Sequence, residues 1–184
     1  MDDNAEIQQE VRRWLEEVVI GLNLCPFAHQ PNKLGRIRIA VTEAADEESL
    51  LEALQDEMSL LDASEESEIE TTLLVTPHML DDFEQYNAFF DLVDVWLREF
   101  GWEGDYQVAS FHPDYQFADT DPDDAGNLTN RSPWPVFHLI REASIDRALS
   151  SHPDVEGIPE RNIARVEALS PEERRRLFPY LFGG

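Results

Sequence analysis

Three short runs of strand character, residues 36–41, 69–76 and 106–111, are each separated from the next by a segment of helical period. Residues 36–41, Arg-Ile-Arg-Ile-Ala-Val, alternate cleanly, and Leu73, Leu74 and Val75 form a continuous apolar run suited to burial on both faces. Between the runs, Leu50, Leu51, Leu54, Met58 and Leu61 recur at three- and four-residue spacing, as do Phe83, Tyr86, Phe90, Val93, Trp96, Leu97 and Phe100. Strands that alternate with helices are the pattern of linked crossovers. The sequence therefore predicts an α/β fold: a small three-stranded parallel sheet, β-α-β-α-β, flanked by helices. A ferredoxin-like α+β sheet is the competing expectation, because three strands make a thin sheet. An N-terminal helix over residues 5–22, with Ile7, Val11, Trp14, Leu15, Val18 and Leu22 on one face, precedes the sheet. Further helices follow it, the last opened by Ser170, Pro171 and Glu173, a capping box started by proline. At 184 residues the chain fits one domain, residues 1–184.

The segment between residues 109 and 142 has no regular period over much of its length, and a long loop in a compact domain is usually functional. Phe111, Tyr115, Phe117 and Trp134 argue that it folds back onto the domain. Ser132 followed by Pro133 reads as a helix start, with Pro135 tolerated in the first turn. Free amides at such an end favour an anion, and Asn130 and Arg131 stand just before it. His138, Arg141 and Glu142 would then share one side of the helix. The competing expectation is that Arg131 pairs with a loop aspartate and that His138 is a satisfied, half-buried side chain.

Charge narrows the partners. Against 39 acidic residues stand 14 basic ones, a formal net charge of -25, spread over the chain and not gathered in a tail. Such a surface suits high salt, which screens its self-repulsion, and it disfavours nucleic acid and anionic membranes. No apolar run approaches a membrane span, and the first residues lack the basic and apolar regions of a signal peptide. A cytoplasmic location is expected. The single cysteine, Cys25, stands at a helix exit, where the dipole opposes a reactive thiolate unless a cation such as His29 or His112 is brought to it.

Phosphate-binding glycine loops, dinucleotide fingerprints, zincin helices and nucleophile elbows are absent from the sequence. The run Asp119, Asp121, Asp123, Asp124 and Asn127 fails as a calcium loop, because Asp124 occupies the glycine position and Asn130 that of the bidentate glutamate. The leading expectation is a protein that binds a small anionic metabolite, a phosphate or carboxylate, and that acts as an enzyme by acid/base chemistry if it acts as one. His112, His138 and Cys25 are the candidate catalytic groups, and Asn130, Arg131, Ser132, Arg141 and Arg161 the candidate ligand-binding ones. No metal is assigned, and neither a cofactor nor the oligomeric state is legible. Two alternatives stand beside this one: a non-catalytic interaction protein using the acidic surface or an exposed patch of Phe89, Phe90 and Trp96, and a metal-dependent enzyme using His112, Asp114 and loop carboxylates.

Five phrases also resemble a bacterial family of uncharacterised proteins, classified as a domain of unknown function. They are GLNLCPFA at 21–28, ETTLL from residue 70, ASFHPDYQF at 109–117, NLTNRSPWPVFHLIR at 127–141 and IPERNI at 158–163. The resemblance covers nearly the whole chain. It implies a single domain and a bacterial origin, and assigns no catalytic roles. Trp134 stands where the family pattern suggests tyrosine, so an indole N–H replaces a hydroxyl.

Overall fold

The computed structural model describes residues 3–183. Its centre is a four-stranded mixed sheet of β1 (Ile37–Val41), β2 (Thr71–Val75), β3 (Tyr106–Phe111) and β4 (Val136–Arg141), in the order β1-β2-β4-β3. β1 and β2 are parallel, and β4 runs antiparallel to both β2 and β3. The expected three-stranded parallel sheet is therefore incorrect. The chain order also differs from the ferredoxin-like β-α-β-β-α-β.

The correction turns on β4. Residues 132–141 do not form a helix: Pro133 and Pro135 lie just ahead of a strand, where a missing amide breaks no ladder bond, and helix begins only at Glu142. Thr76 N–H donates to the Pro135 carbonyl at 3.0 Å, so the ladder begins at that proline. Val136, Phe137 and Ile140 are β-branched or aromatic, and a period of two sorts them. Phe137 and Leu139 pack on one face of the sheet, and Val136 on the other. A slot between β2 and β3, bonded on both sides, outweighs the helical spacing of so short a segment.

Two helices cover the Phe137 face. These are α3 (Glu47–Ala63), reached from β1, and α4 (Phe83–Glu99), reached from β2. α3 opens with a reciprocal capping box between Asp46 and Ser49 and buries Leu50, Leu54, Met58 and Leu61 completely. Each such side chain is worth about 1.5–3 kcal/mol of burial. α4 is capped by Asp82, whose side chain accepts from Gln85 N–H, and sends Tyr86, Phe89 and Trp96 inward. Tyr86, Phe89 and Phe90 surround Phe137 at ring separations of 5.2, 5.6 and 5.3 Å. Phe89 and Trp96 are thus core residues, so the exposed aromatic patch expected of an interaction protein is not formed.

The other face receives α1 (Asp3–Trp14) and a π-helical continuation over Leu15–Ile20. The wider π turn is closed by Gly21 N–H on the Glu16 carbonyl at 3.0 Å, and a Cβ at Gly21 would collide with the Glu17 carbonyl. Trp14, Leu15, Val18 and Val19 are all buried, giving a broader apolar face than an α-helical stripe. π turns of this kind are often found beside functional sites. A short α2 (His29–Lys33) follows, and after β4 come α5 (Glu142–Ser151), α6 (Ile158–Glu167), α7 (Pro171–Leu177) and α8 (Pro179–Phe182). Among the described residues, no helix is long and apolar enough to cross a membrane.

Candidate functional site

The loop after β3 is folded back, and its polar side chains are used to hold it. Asn127 is its hub: Oδ1 accepts from Phe117 N–H at 2.9 Å and from the Thr120 hydroxyl at 3.2 Å, while Nδ2 donates to the Asp121 carbonyl at 2.9 Å. Arg131 donates through Nε to the Tyr115 carbonyl at 3.0 Å and through its terminal amine to the Pro122 carbonyl at 2.7 Å. Burial pulls its pKa below the ordinary value, with Asp114 and Asp123 pulling the other way. Asn130 donates to the Ser110 carbonyl at 3.1 Å. Ser132 is buried, donates to the Trp134 carbonyl at 2.6 Å and stands ahead of a strand, so it caps no helix. Arg141, at the end of β4, donates to the carbonyls of Leu61, Ser64 and Ile69 at 2.8–2.9 Å and ties α3 to the sheet.

His112 is buried and fully engaged. Its Nδ1 accepts from Asp114 N–H at 2.9 Å, which places the ring proton on Nε2, and Nε2 donates to the Leu80 carbonyl at 2.8 Å. It packs on Tyr86 and Phe83 at 4.9 and 5.4 Å. Among the described residues, no group of three or more His, Cys, Asp or Glu side chains could hold a metal ion, so the set built on His112 and Asp114 does not assemble.

The other two candidate catalytic residues, Cys25 and His138, meet in a cavity of about 320 Å³ on the face covered by α1. That volume lies at the small end of ligand sites. The sheet forms its floor with Thr71, Leu73, Phe111, His138 and Ile140. Trp14, Leu15 and Val19 wall one side, Phe27 and Pro31 another, and α5 closes it with Ile145, Ala148 and Leu149. Trp14 meets Phe111 edge-on at 5.1 Å, and Phe111 lies 6.1 Å from the His138 ring. The Trp14 indole N–H is buried in this wall with no hydrogen-bond partner among the described residues.

Four groups set the electrostatics. His138 is removed from bulk water, and this desolvation lowers its pKa to about 4, so the imidazole is neutral at pH 7. The partial exposure of the ring is consistent with its place in the cavity floor. Burial raises the Cys25 thiol, against the Phe27 and Ala28 amides that stabilise its charged form. Both shifts oppose a thiolate–imidazolium pair. Glu70 lies between the inner cavity and a wider polar mouth, its pKa raised by burial and opposed by Arg36 and Arg141. Arg36, whose carbonyl accepts from Glu70 N–H at 2.8 Å just ahead of the β1–β2 ladder, also lines the mouth; its guanidinium acts on Glu70 electrostatically and makes no hydrogen bond or close ion pair among the described residues. Arg147 at the same mouth is paired with Glu66.

Arg161 lies elsewhere. A smaller pocket of about 280 Å³ is lined by Arg161, Arg165, His152, Asn23 and Asn162. Arg161 is held by Asp154 at 2.7 Å, and a Cβ at Gly157 would clash with both members of that pair. Thr71, Trp14, Phe27 and Glu70 in the cavity and Arg36 at its mouth are among the residues that the sequence did not single out as site residues. In the chain they read as ordinary strand, helix and loop positions, and no local pattern marks a void.

The arrangement defines a four-stranded mixed sheet, antiparallel except for β1 and β2, packed against helices, with an apolar ligand-sized cavity between that sheet and its N-terminal helix. The chain belongs to the family described as "Protein of unknown function (DUF1415)", whose model matches residues 6–176. No curated protein and no solved structure matches it.

Proposed function

We propose that this protein binds a small, mostly apolar molecule in the cavity between Trp14 and the sheet, with the ligand's outer end at Arg36 and Glu70. The observation that carries this is an apolar space of about 320 Å³ with a few polar groups converging on it. Neutral His138 and neutral Cys25 suit binding better than proton transfer, so any acid/base reaction would need the ligand to change their environment. A metabolite with a carboxylate or phosphate would place that group at the mouth, beside the Arg36 guanidinium, which makes no hydrogen bond or close ion pair among the described residues. Such a group inside the apolar part would lose its hydration without compensation.

The test uses naphthalene as an apolar probe and Ala148→Trp, on α5, to fill the cavity. A ligand present at tenfold over its Kd stabilises by ~1.4 kcal/mol, about 3–6 °C in Tm for a chain of this size. The wild type should show that shift and Ala148→Trp should not. Equal behaviour of the two proteins would overturn the cavity as the ligand site.

Anion binding has a second possible seat, supported by the Arg161, Arg165 and His152 pocket. Asp154 N–H donates to His152 Nδ1 at 3.1 Å, which leaves Nε2–H as a donor beside the two arginines. Inorganic phosphate in the same thermal assay should stabilise the wild type and not Arg165→Ala. We also propose that the acidic surface is an adaptation to high salt, which makes the salt dependence of folding the relevant measurement.

A further inference from the structure

We infer that the cavity recognises a hydrogen-bond donor on an uncharged, otherwise apolar ligand, with phenols and alcohols as the simplest class; this rests on the cavity being the ligand site. The inference follows from where two protons must be. The Thr71 hydroxyl lies 2.6 Å from the Leu139 carbonyl and 2.7 Å from His138 Nε2. A hydroxyl has one proton, and a carbonyl only accepts. The proton must go to Leu139, since any other assignment sets two oxygen acceptors 2.6 Å apart. Towards the imidazole, Thr71 therefore accepts, and Nε2 carries the ring hydrogen. Nδ1 is left as a bare lone pair, with no protein partner among the described residues, on a ring that lines the cavity floor.

The contrast with His112 is instructive. That ring has the same tautomer, but both of its nitrogens are bonded within the protein. His138 uses one nitrogen to fix its tautomer and keeps the other for whatever enters. Desolvation keeps the ring neutral, so Nδ1 stays an acceptor across the physiological range. Of the other polar groups on the inner wall, the unpartnered Trp14 indole N–H and the weakly donating Cys25 thiol are donors, the Ser144 hydroxyl acts either way and Glu70 stands at the mouth, so Nδ1 is the acceptor left for a ligand's donor. A ligand with an O–H or N–H at its inner end satisfies Nδ1. One that offers only an acceptor there opposes two lone pairs, and sites built for a polar group reject analogues that lack it.

The cavity is about twice the volume of the ~150 Å³ engineered cavity that takes benzene, so a two-ring skeleton is a suitable probe. Calorimetric titration at pH 7 would compare 2-naphthol, 2-methoxynaphthalene, naphthalene and 2-naphthoate on the wild type. 2-Naphthol should bind about three- to tenfold more tightly than naphthalene, and 2-methoxynaphthalene no better than naphthalene. In Thr71→Val, where Nε2 loses its fixed partner and either tautomer is open, the gap between naphthol and its methyl ether should close. As a readout on unaltered protein, the His138 Nδ1 ¹⁵N shift should move with naphthol and not with naphthalene. Equal binding of naphthol and methoxynaphthalene to the wild type would overturn the donor inference and leave the cavity reading standing. Tightest binding by 2-naphthoate would overturn it in favour of anion capture at Arg36. Binding by none of the four would overturn both.

Discussion

A histidine inside an apolar wall faces two demands, because its charged form cannot be hydrated there and its neutral form still needs an acceptor for its N–H and a donor for its lone pair. At His138 the first is met by a pKa near 4 and the second by Thr71 on one side only. Relative to the ordinary value of 6.5, the folded state resists protonation and the unfolded chain does not. The sign follows directly: the contribution of this ring to stability is fully present above pH 6.5 and is lost as pH falls towards 4. The total is ~3 kcal/mol. The ¹⁵N spectrum of the His138 imidazole should therefore show the Nε2–H tautomer at pH 7 and no protonation down to about pH 5. A ring that titrates near 6.5, or that shows mixed tautomers, would contradict the enclosed site described for it.

At the level of elements, two arginines act as clamps. Arg131 fastens the loop after β3 through two carbonyls, and Arg141 joins α3 to β4 through three. All three carbonyls meet one terminal guanidinium nitrogen; a lysine at 141 keeps the charge but its side chain is one atom shorter, and leaves buried carbonyls unpaired. Arg141→Lys should lower unfolding stability by about 2–3 kcal/mol and Arg131→Ala by about 1–3 kcal/mol, read from urea midpoints at unchanged slope. An Arg131→Ala protein of wild-type stability would show that the loop holds without its clamp. The same elements mark how far sequence reasoning reaches. β1, β2 and β3 are legible because alternation and apolar runs are local signals. β4 is not, since Ser132-Pro133 imitates a helix start and 136, 137, 139 and 140 fit either period over so few residues. What decides is pairing with β2 and β3, which are distant in the chain. The site divides the same way. Cys25 and His138 are noticed for their chemistry, but their meeting depends on β4 entering the sheet beside β2. Thr71, which sets the His138 tautomer, carries no local mark at all.

Over the whole molecule, repulsion opposes folding. Thirty-nine acidic residues face fourteen basic ones, so 39 − 14 = 25 carboxylates have no basic counterpart even if every cation were paired. The exposed face of α3 shows the effect in small: Glu48, Glu52 and Asp56 follow one another at four-residue spacing, all exposed. Like charges at that spacing destabilise a helix by about 0.2–0.5 kcal/mol a pair. Salt at 0.1 M screens over about 10 Å, whereas 1 M screens over about 3 Å, less than the distance between neighbouring turns. The wild type should therefore gain Tm as KCl rises from 0.1 to 2 M. The double variant Glu52→Gln, Asp56→Asn, which removes both like-charge pairs and keeps Glu48 in the first turn where the helix dipole favours it, should be more stable than wild type at 0.1 M, by about 0.4–1 kcal/mol, with the difference fading above 1 M. Because both proteins experience the same general effect of salt on apolar burial, only the charge term separates their curves. Parallel curves would mean that salt stabilises this fold through its apolar core and not by screening its surface.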